Sequence, residues 1–545
     1  MDTSLQSLSK IFTEKLFRIP DYQRGYAWTE KQLKDFWNDL IQLEKGKNHY
    51  IGVLTVEEVT ESLYRKWEDD TWIIDSKSYK PLYIVDGQQR LTTSIILIQA
   101  ITEFIPHGEK LNFSSVDEIR KKFIFESKDD GISRSYIFGY EKDNPSYDYL
   151  KSKIFNEDLE DFSSQPETVY TNNLESAKTF FKTRLSDLSF DEIALTYKKL
   201  TQNFLFNSYM ISSDIDVFVA FESMNNRGKP LSYLELLKNR LIYLSTKFNV
   251  SESEKNRLRK RVNECWKSIY HNLGRNKLEP LADDDFLQSH FLVYFTRKIL
   301  GTGKSTVHHI PYNPLIGSRS RRNLHYPTFL LENHFVTKNI NCSSGEDNVT
   351  INDVYSYVSS LQKSVELWYR IFNPNLSEGF SYDETFWLSK LNRRGINSAA
   401  SLLMVFFDKE DSEVKRVKLL VALEKLMFSL SLFSYGHGFA LSQGHLTELA
   451  IQLAEGEITP DRAVLEVHED NNRLISDADF KKSMIKVFKS NGFYKWKNIR
   501  YFMFEYDLDL FLKSKTAREK LEWKAFSNID FQTVEHIYPQ NARKN

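Results

Sequence analysis

The pattern of hydrophobic and polar positions predicts two strands and a helix within the first hundred residues. Residues 50–57 alternate and are rich in β-branched side chains, and residues 81–85 form a short apolar run that stops at Asp86-Gly87. From Gln88 the apolar spacing becomes helical and continues to Pro106. We therefore predict that the second strand passes through a glycine turn into a helix at residues 86–90.

Helical spacing recurs along most of the remaining chain. A helix is predicted at residues 29–43, where Thr29 and Gln32 form a capping box and the apolar positions share one face, namely Leu33, Phe36, Trp37, Leu40 and Ile41. Residues 110–205 are predicted to be mainly helical with polar loops. Further helices are predicted at 231–244, 252–270 and 284–300 and in several segments between 354 and 456, with a strand at 214–221 and a long loop at 301–326. This order of elements predicts an α+β protein with a mainly helical middle.

Length and composition are those of a folded protein of several domains. The 545 residues, at roughly 150 per domain, give three or four domains. Lys and Arg number 73 against 74 Asp and Glu, so the formal net charge is -1. This balance excludes an overall basic nucleic-acid coat and an acidic disordered chain, so any anion binding must be local.

Cysteine usage and hydropathy exclude two further classes. Cys265 and Cys342 are the only cysteines and lie far apart, which excludes a disulfide framework and a cysteine zinc site. The longest apolar runs are far shorter than the roughly 18 residues that a membrane span requires. We therefore expect a cytoplasmic protein with no membrane partner.

The first candidate site is the turn at residues 86–90. A strand that ends in Asp-Gly and leads into a helix presents unpaired backbone N–H groups and the positive end of the helix dipole, which favour a phosphate. Arg90 would add a charge-assisted contact, and Asp86 could hold a metal ion or orient water. The alternative is that Asp86 only caps the helix and Arg90 forms a surface ion pair.

The second candidate is the segment at residues 17–28, which holds two arginines and four aromatic residues just before a capped helix. Arginine beside aromatic side chains suits stacking on bases or gripping phosphates. The alternative is that Tyr22, Tyr26 and Trp28 anchor the core while Arg24 pairs with an acidic residue. The residues alone leave both interpretations open.

Four motifs follow one another in the first 231 residues. They are Ile19-Pro-Asp-Tyr-Gln-Arg24 with Trp28, then Tyr50-Ile-Gly52, then Val85-Asp-Gly-Gln-Gln-Arg-Leu-Thr-Thr93, and then Phe221-Glu-Ser-Met-Asn-Asn-Arg-Gly-Lys-Pro-Leu231. In this order they resemble the N-terminal region of GmrSD-like modification-dependent (type IV) restriction proteins. One departure is Gly25, where relatives often carry a proline.

The resemblance implies a ParB-like, sulfiredoxin-type α/β domain that binds and hydrolyses a nucleoside triphosphate with Mg²⁺ or another divalent metal. It implies that Asp86, Gln88, Gln89 and Arg90 are catalytic. The implied nucleotide-binding residues are Gly87, Arg90, Thr92, Thr93, Asn225 and Arg227. Tyr22, Gln23 and Arg24 are implied to face the same cleft and to sense DNA or its modification. Residues 225–231 also have a structural interpretation, as a strand-to-helix turn with Gly228 at positive φ.

The extreme C-terminus carries a third candidate. In Phe531-Gln-Thr-Val-Glu-His-Ile-Tyr-Pro-Gln540 a neighbouring carboxylate and imidazole could bind a divalent metal and activate water. The segment resembles the opening of an HNH, or ββα-metal, nuclease, which implies His536 as general base and Glu535 as metal ligand. Because the family's motif continues beyond the length present here, we expect this sequence alone to be incompetent as an HNH nuclease.

Together these features predict domains at 8–240 (ParB-like), 241–425 (helical) and 426–545 (truncated HNH-like region). The predicted function is an NTP-dependent, modification-sensing DNA restriction component in anti-phage defence. The predicted partners are modified phage DNA and either further copies of the chain or a partner nuclease. The alternative is a non-cleaving, NTP-gated DNA-binding subunit that needs a separate nuclease.

Overall fold

A computed structural model of the chain describes residues 5–128, 133–142, 144, 146–157, 167–211, 231–300, 326–341, 348–432, 437–476, 480–482, 484–485, 489, 496, 498–514 and 522–526. The chain forms two compact units. The first contains the residues up to Leu287 together with Tyr326–Val365, and the second contains the remainder.

A six-stranded mixed sheet organises the first unit, in the order β1-β8-β3-β4-β2-β7. Strand β2 runs parallel to both β4 and β7, whereas β3 is antiparallel to β4. The carboxyl ends of β2, β4 and β7 therefore meet at one edge of the sheet. The strands are β1 (Leu5–Ser7), β2 (Lys15–Ile19), β3 (His49–Glu58), β4 (Lys80–Asp86), β7 (Phe138–Tyr140) and β8 (Phe204–Met210), and β5 (Phe125–Lys128) pairs with β6 (Ser133–Tyr136) in a separate two-stranded sheet.

The first unit also contains helices, several of which, all before residue 199, form the core with the sheet. The helices of this unit are α1 (Leu8–Ile11), α2 (Glu30–Gln42), α3 (Glu61–Tyr64), α4 (Thr71–Lys77), α5 (Gln88–Thr102), α6 (Val116–Phe123), α7 (Ser146–Tyr149), α8 (Val169–Ser186), α9 (Phe190–Lys198), α10 (Tyr233–Lys247), α11 (Glu252–Gly274), the start of α12 (Asp283–Leu300), α13 (Tyr326–Thr328) and most of α14 (Ile351–Phe372). Single π-helical turns lie at Leu150–Ile154, Lys199–Asn203 and Phe329–His334, and a 3₁₀ turn lies at Thr337–Asn339.

Helix α5 is the central helix of this core. Every residue from Leu91 to Thr102 is buried, and this stretch of sequence carries no charged side chain. A helix whose surface is buried on every side is stable only when other elements of the protein enclose it. Each buried Ile or Leu then contributes about 1.5–3 kcal/mol to stability. The charged residue of α5, Arg90, therefore lies in its first turn, at the edge of the sheet.

The second unit is helical throughout its described part. Its helices are the remainder of α12 and α14 together with α15 (Tyr382–Arg394), α16 (Ala400–Lys409), α17 (Glu413–Ser431), α18 (His437–Glu455), α19 (Pro460–Ser476), α20 (Ile499–Ser514) and α21 (Trp523–Phe526), with 3₁₀ turns at Pro374–Leu376 and Asn397–Ala399. Apolar α16 is buried from Ala400 to Phe407.

The α+β class predicted from the sequence is confirmed, as are the strands at 50–57 and 81–85 and the helix at 29–43. Ile41 was wrongly placed on the buried face of that helix, since it is 39% exposed. The prediction of a mainly helical 110–205 overlooked β5 to β8. The predicted domain boundaries after residues 240 and 425 lie inside α10 and α17, and the division into three domains stays a prediction. The predicted strand at 214–221 and most of the loop at 301–326 lie outside the described residues.

Candidate functional site

The turn between β4 and α5 brings the predicted phosphate-binding residues to the carboxyl edge of the parallel strands. Gly87 adopts φ 94° and ψ 3° and precedes the first helical residue. A Cβ at this position would lie 2.9 Å from the Val53 carbonyl oxygen, so only glycine fits without displacing β3. The N–H of Leu91 donates to the Gly87 carbonyl oxygen at 3.0 Å, and it is the first N–H of α5 to bond within this turn. The earlier N–H groups of α5 therefore point out of the helix end.

Arg90 is held at this helix end by the backbone of β3. Its guanidinium donates to the Val53 carbonyl at 2.7 Å and to the Ile51 carbonyl at 3.3 Å, and it lies 3.6 Å from an Asp86 carboxylate oxygen. Gly52 contacts this side chain closely, and a Cβ at Gly52 would overlap the Arg90 guanidinium. The Arg90 and Asp86 side chains are 22% and 20% exposed. A fixed cation and a carboxylate thus stand side by side where solvent can reach them.

Gln89 uses both ends of its amide to hold the loop at residues 20–28. Its oxygen accepts from the Ala27 N–H at 2.7 Å and its nitrogen donates to the Gly25 carbonyl at 3.0 Å. A Cβ at Gly25 would lie 2.6 Å from Tyr170, which explains why glycine occurs here. Gln89 therefore joins the first turn of α5 to the preceding loop. A catalytic role for Gln89 stays a prediction.

The structure places Tyr22, Gln23 and Arg24 in the interior, with 4%, 1% and 6% of their surfaces exposed. Arg24 pairs with Glu235 of α10 at 3.2 Å, and the same carboxylate accepts a hydrogen bond from Tyr170 at 2.5 Å. This arrangement matches the alternative interpretation, in which the aromatic residues anchor the core and Arg24 pairs with an acid. Sensing of DNA by these residues stays a prediction.

Thr92 and Thr93 lie one helical turn further into the core. Their hydroxyls donate to the Gln88 and Gln89 carbonyls at 2.7 and 2.8 Å, and the Thr93 hydroxyl is also 2.7 Å from that of Tyr26. Both threonines are almost fully buried. In this structure they brace the helix from inside, and their contact with a nucleotide stays a prediction.

A cluster of charges at the same edge was missed by sequence reasoning. Asp21, just after β2, is buried and accepts hydrogen bonds from Arg259, including one at 2.6 Å, and from Asn263 at 2.8 Å, while its N–H donates to Glu141 at 3.0 Å. Burial alone would raise the pKa of Asp21, but the charge and hydrogen bonds of Arg259 bring that pKa below its usual value. Burial, reinforced by the neighbouring Asp21, raises the pKa of Glu141. The cluster fastens α11 to the edge of the sheet.

Several predicted site residues lie outside the described part of the chain, namely Asn225, Arg227, Glu535 and His536. In the part that the structure does describe, no three His, Cys, Asp or Glu side chains come together as metal ligands. Among the described helices, none combines the length and the apolar character needed to cross a bilayer.

The structure defines an α+β domain in which the start of α5, with Arg90 and Asp86, lies at the edge of the sheet. Residues 7–242 match the family model of the GmrSD restriction endonuclease, N-terminal domain. The match spans less than half of the 545 residues, and it shows that this part of the chain is similar to the N-terminal domain of that family. It covers the sheet, the Asp86–Arg90 turn and the loop at residues 20–28. No curated protein matched the chain.

Proposed function

We propose that the chain binds and hydrolyses a nucleoside triphosphate at the Asp86–Arg90 turn and uses this reaction to control DNA restriction. The observation that carries the proposal is the fixed position of Arg90 beside Asp86 at the N-terminal end of α5. Backbone N–H groups, a helix dipole and a guanidinium meet at one point there, and all three favour a phosphate. The match to the N-terminal domain of a restriction endonuclease family supports DNA as the partner.

The backbone N–H groups of the turn, Arg90 and Asp86 have distinct roles in the proposed reaction. The N–H groups of residues 88–90 bind phosphate oxygens, and Arg90 stabilises the negative charge that develops during transfer. Water attacks the γ-phosphorus, the bond from that phosphorus to the bridging oxygen breaks, and the nucleoside diphosphate leaves. Asp86 accepts the proton of the water and releases it to solvent, consistent with its partial exposure. Mg²⁺, when bound, neutralises part of the phosphate charge.

The loop at residues 20–28 is the proposed route from this reaction to DNA. Its backbone is held by Gln89 of the reacting turn, and Arg24 connects it to Glu235 of α10. Because the same loop contacts both elements, a change at the turn alters the support of α10. We propose that modified phage DNA is the ligand, and that this loop couples its binding to the Asp86–Arg90 turn.

The test is triphosphate hydrolysis by the full chain with Mg²⁺, across four nucleotides, with plain and modified phage DNA. Arg90→Ala and Asp86→Asn should lower turnover at least about hundredfold, the loss typical when one transition-state contact is removed. The matched controls are Arg65→Ala and Asp75→Asn, which break an exposed ion pair elsewhere in the same unit and should leave turnover unchanged.

Turnover that is equal in Arg90→Ala and Arg65→Ala would contradict the proposal. The same samples separate the two predicted functions when DNA integrity is followed. Turnover together with DNA cleavage supports a restriction enzyme, whereas DNA-stimulated turnover without cleavage supports the regulatory subunit that needs a partner nuclease.

A further inference from the structure

A bulge in β4 reshapes the sheet next to the candidate site. Thr55 pairs with Asp86, whereas the next residue of β3, Val56, pairs with Ile84, so Val85 is the extra residue. A bulge leaves the polar groups of the extra residue without their partner strand, and bulges often redirect side chains beside active sites. Here the bulge lies directly before the Asp86–Arg90 turn.

Gln23 supplies the hydrogen bonds that the bulge needs. Its side-chain nitrogen donates to the Val85 carbonyl at 3.0 Å and also to the Ile84 carbonyl. Because two carbonyls require donors, the orientation of the amide is fixed, and the oxygen of Gln23 must point away from them. That oxygen is buried and has no hydrogen-bond partner among the described residues.

Two more buried oxygens share this property, one on the residue that pairs with Asp86 and one on a residue two positions after it. The hydroxyl of Thr55, on a residue only 1% exposed, and the amide oxygen of Gln88, on a residue 6% exposed, have no partner in the described structure. Thr55 stands directly opposite Asp86, and such pairs place their side chains on one face with Cβ atoms about 5 Å apart. Buried oxygens that lack partners are costly unless a ligand satisfies them.

The chemistry of these groups identifies the ligand. The three neutral oxygens and the Asp86 carboxylate can all accept hydrogen bonds or bind a cation, and oxygen donors with one or two carboxylates are what hydrated Mg²⁺ prefers. Resting on the proposed function, we infer that Gln23, Thr55, Gln88 and Asp86 bind the hydrated Mg²⁺ of the incoming metal–triphosphate complex. Since Arg90 lies 3.6 Å from Asp86, its charge opposes metal binding until phosphates arrive. The metal therefore binds only when the triphosphate is present.

The test uses Mn²⁺ as the probe and the β,γ-imido triphosphates of the four nucleosides, with protein-bound Mn²⁺ measured by electron paramagnetic resonance. We expect tight Mn²⁺ binding by the full chain only when a triphosphate is present. Thr55→Val should weaken it at least about tenfold, as is usual when a group supporting a metal is removed. Thr55→Ser, which keeps the hydroxyl, should bind Mn²⁺ as the unaltered chain does, and Gln88→Met, on a different element, should weaken binding too.

Two further measurements on the same variants separate this inference from the proposed function. Triphosphate binding in EDTA should be equal in all of them, and Thr55→Val should melt no lower than the unaltered chain because the lost hydroxyl has no partner among the described residues. Equal Mn²⁺ affinity in Thr55→Val and the unaltered chain, with the triphosphate bound, would overturn the metal site and leave the proposed function standing. Failure of the unaltered chain to bind any triphosphate would overturn both.

Discussion

Replacing Gly52 by alanine displaces Arg90 without removing it. Gly52 has φ +130°, and a Cβ there would overlap the Arg90 guanidinium. The far end of an arginine is flexible, so the side chain should swing away and lose its hydrogen bonds to the Ile51 and Val53 carbonyls. The cation would then no longer be fixed at the N-terminal end of α5.

Gly46→Ala is the matched control for this substitution. Gly46 also has positive φ, +81°, but a Cβ there would have nothing within 4 Å. An alanine at positive φ costs about 1–2 kcal/mol near the left-handed helical region, where Gly46 lies, and at least as much at the φ of Gly52. Gly52→Ala should cost about 2 kcal/mol more, since a charged hydrogen bond contributes about 1.5–3 kcal/mol and water partly replaces it at this half-buried site.

The effect on the reaction should be larger than the effect on folding. If the displaced Arg90 stabilises the transition state by about 2.7 kcal/mol less, turnover falls about hundredfold, because each 1.36 kcal/mol is a factor of ten. The assay is triphosphate hydrolysis alongside urea unfolding for both alanine variants. Turnover in Gly52→Ala that equals turnover in Gly46→Ala would refute the role given to the fixed guanidinium.

Two other predictions concern charged pairs away from the turn. Arg259→Met should destabilise the first unit by about 2–3 kcal/mol in urea, because Asp21 stays buried without its main partner, while exposed Arg257→Met should have no effect. In the second unit, the hydrogen bond and charge of Asp470 raise the pKa of His445 above 6.5. Its contribution to stability is therefore full below pH 6.5 and is lost as the pH rises through the higher folded-state pKa. His445→Asn should make the melting temperature depend less on pH across this range. An unchanged dependence of the melting temperature on pH would contradict the pairing.

Local patterns in the sequence were sufficient to predict the elements that form the Asp86–Arg90 turn. The change from an apolar run to helical spacing at Asp86-Gly87 located the junction of β4 and α5, and the Thr29–Gln32 capping box located the start of α2. In each case the signal lies within a few neighbouring residues. Strand β8 was overlooked even though Phe204 and Phe206 alternate as buried positions, because the segment follows directly on a helix.

Partners that are distant in the sequence could not be predicted. Asp21 meets Arg259 across 238 positions, and Arg24 meets Glu235 across 211, and no periodicity relates these pairs. The bulge at Val85 could not be predicted from the sequence either, since it depends on how β3 and β4 align. For this reason the motif gave no sign that the Gln23 amide supports the bulge, and DNA sensing by Gln23 stays a prediction.

The most direct measurement is a crystal structure of the full chain with Mg²⁺ and the β,γ-imido triphosphate that it binds most tightly. We expect the phosphates on the N–H groups of residues 88–90, with the guanidinium of Arg90 in contact with them and Asp86 facing the metal. A triphosphate bound elsewhere, with no phosphate at the end of α5 or in contact with Arg90, would contradict the proposed site.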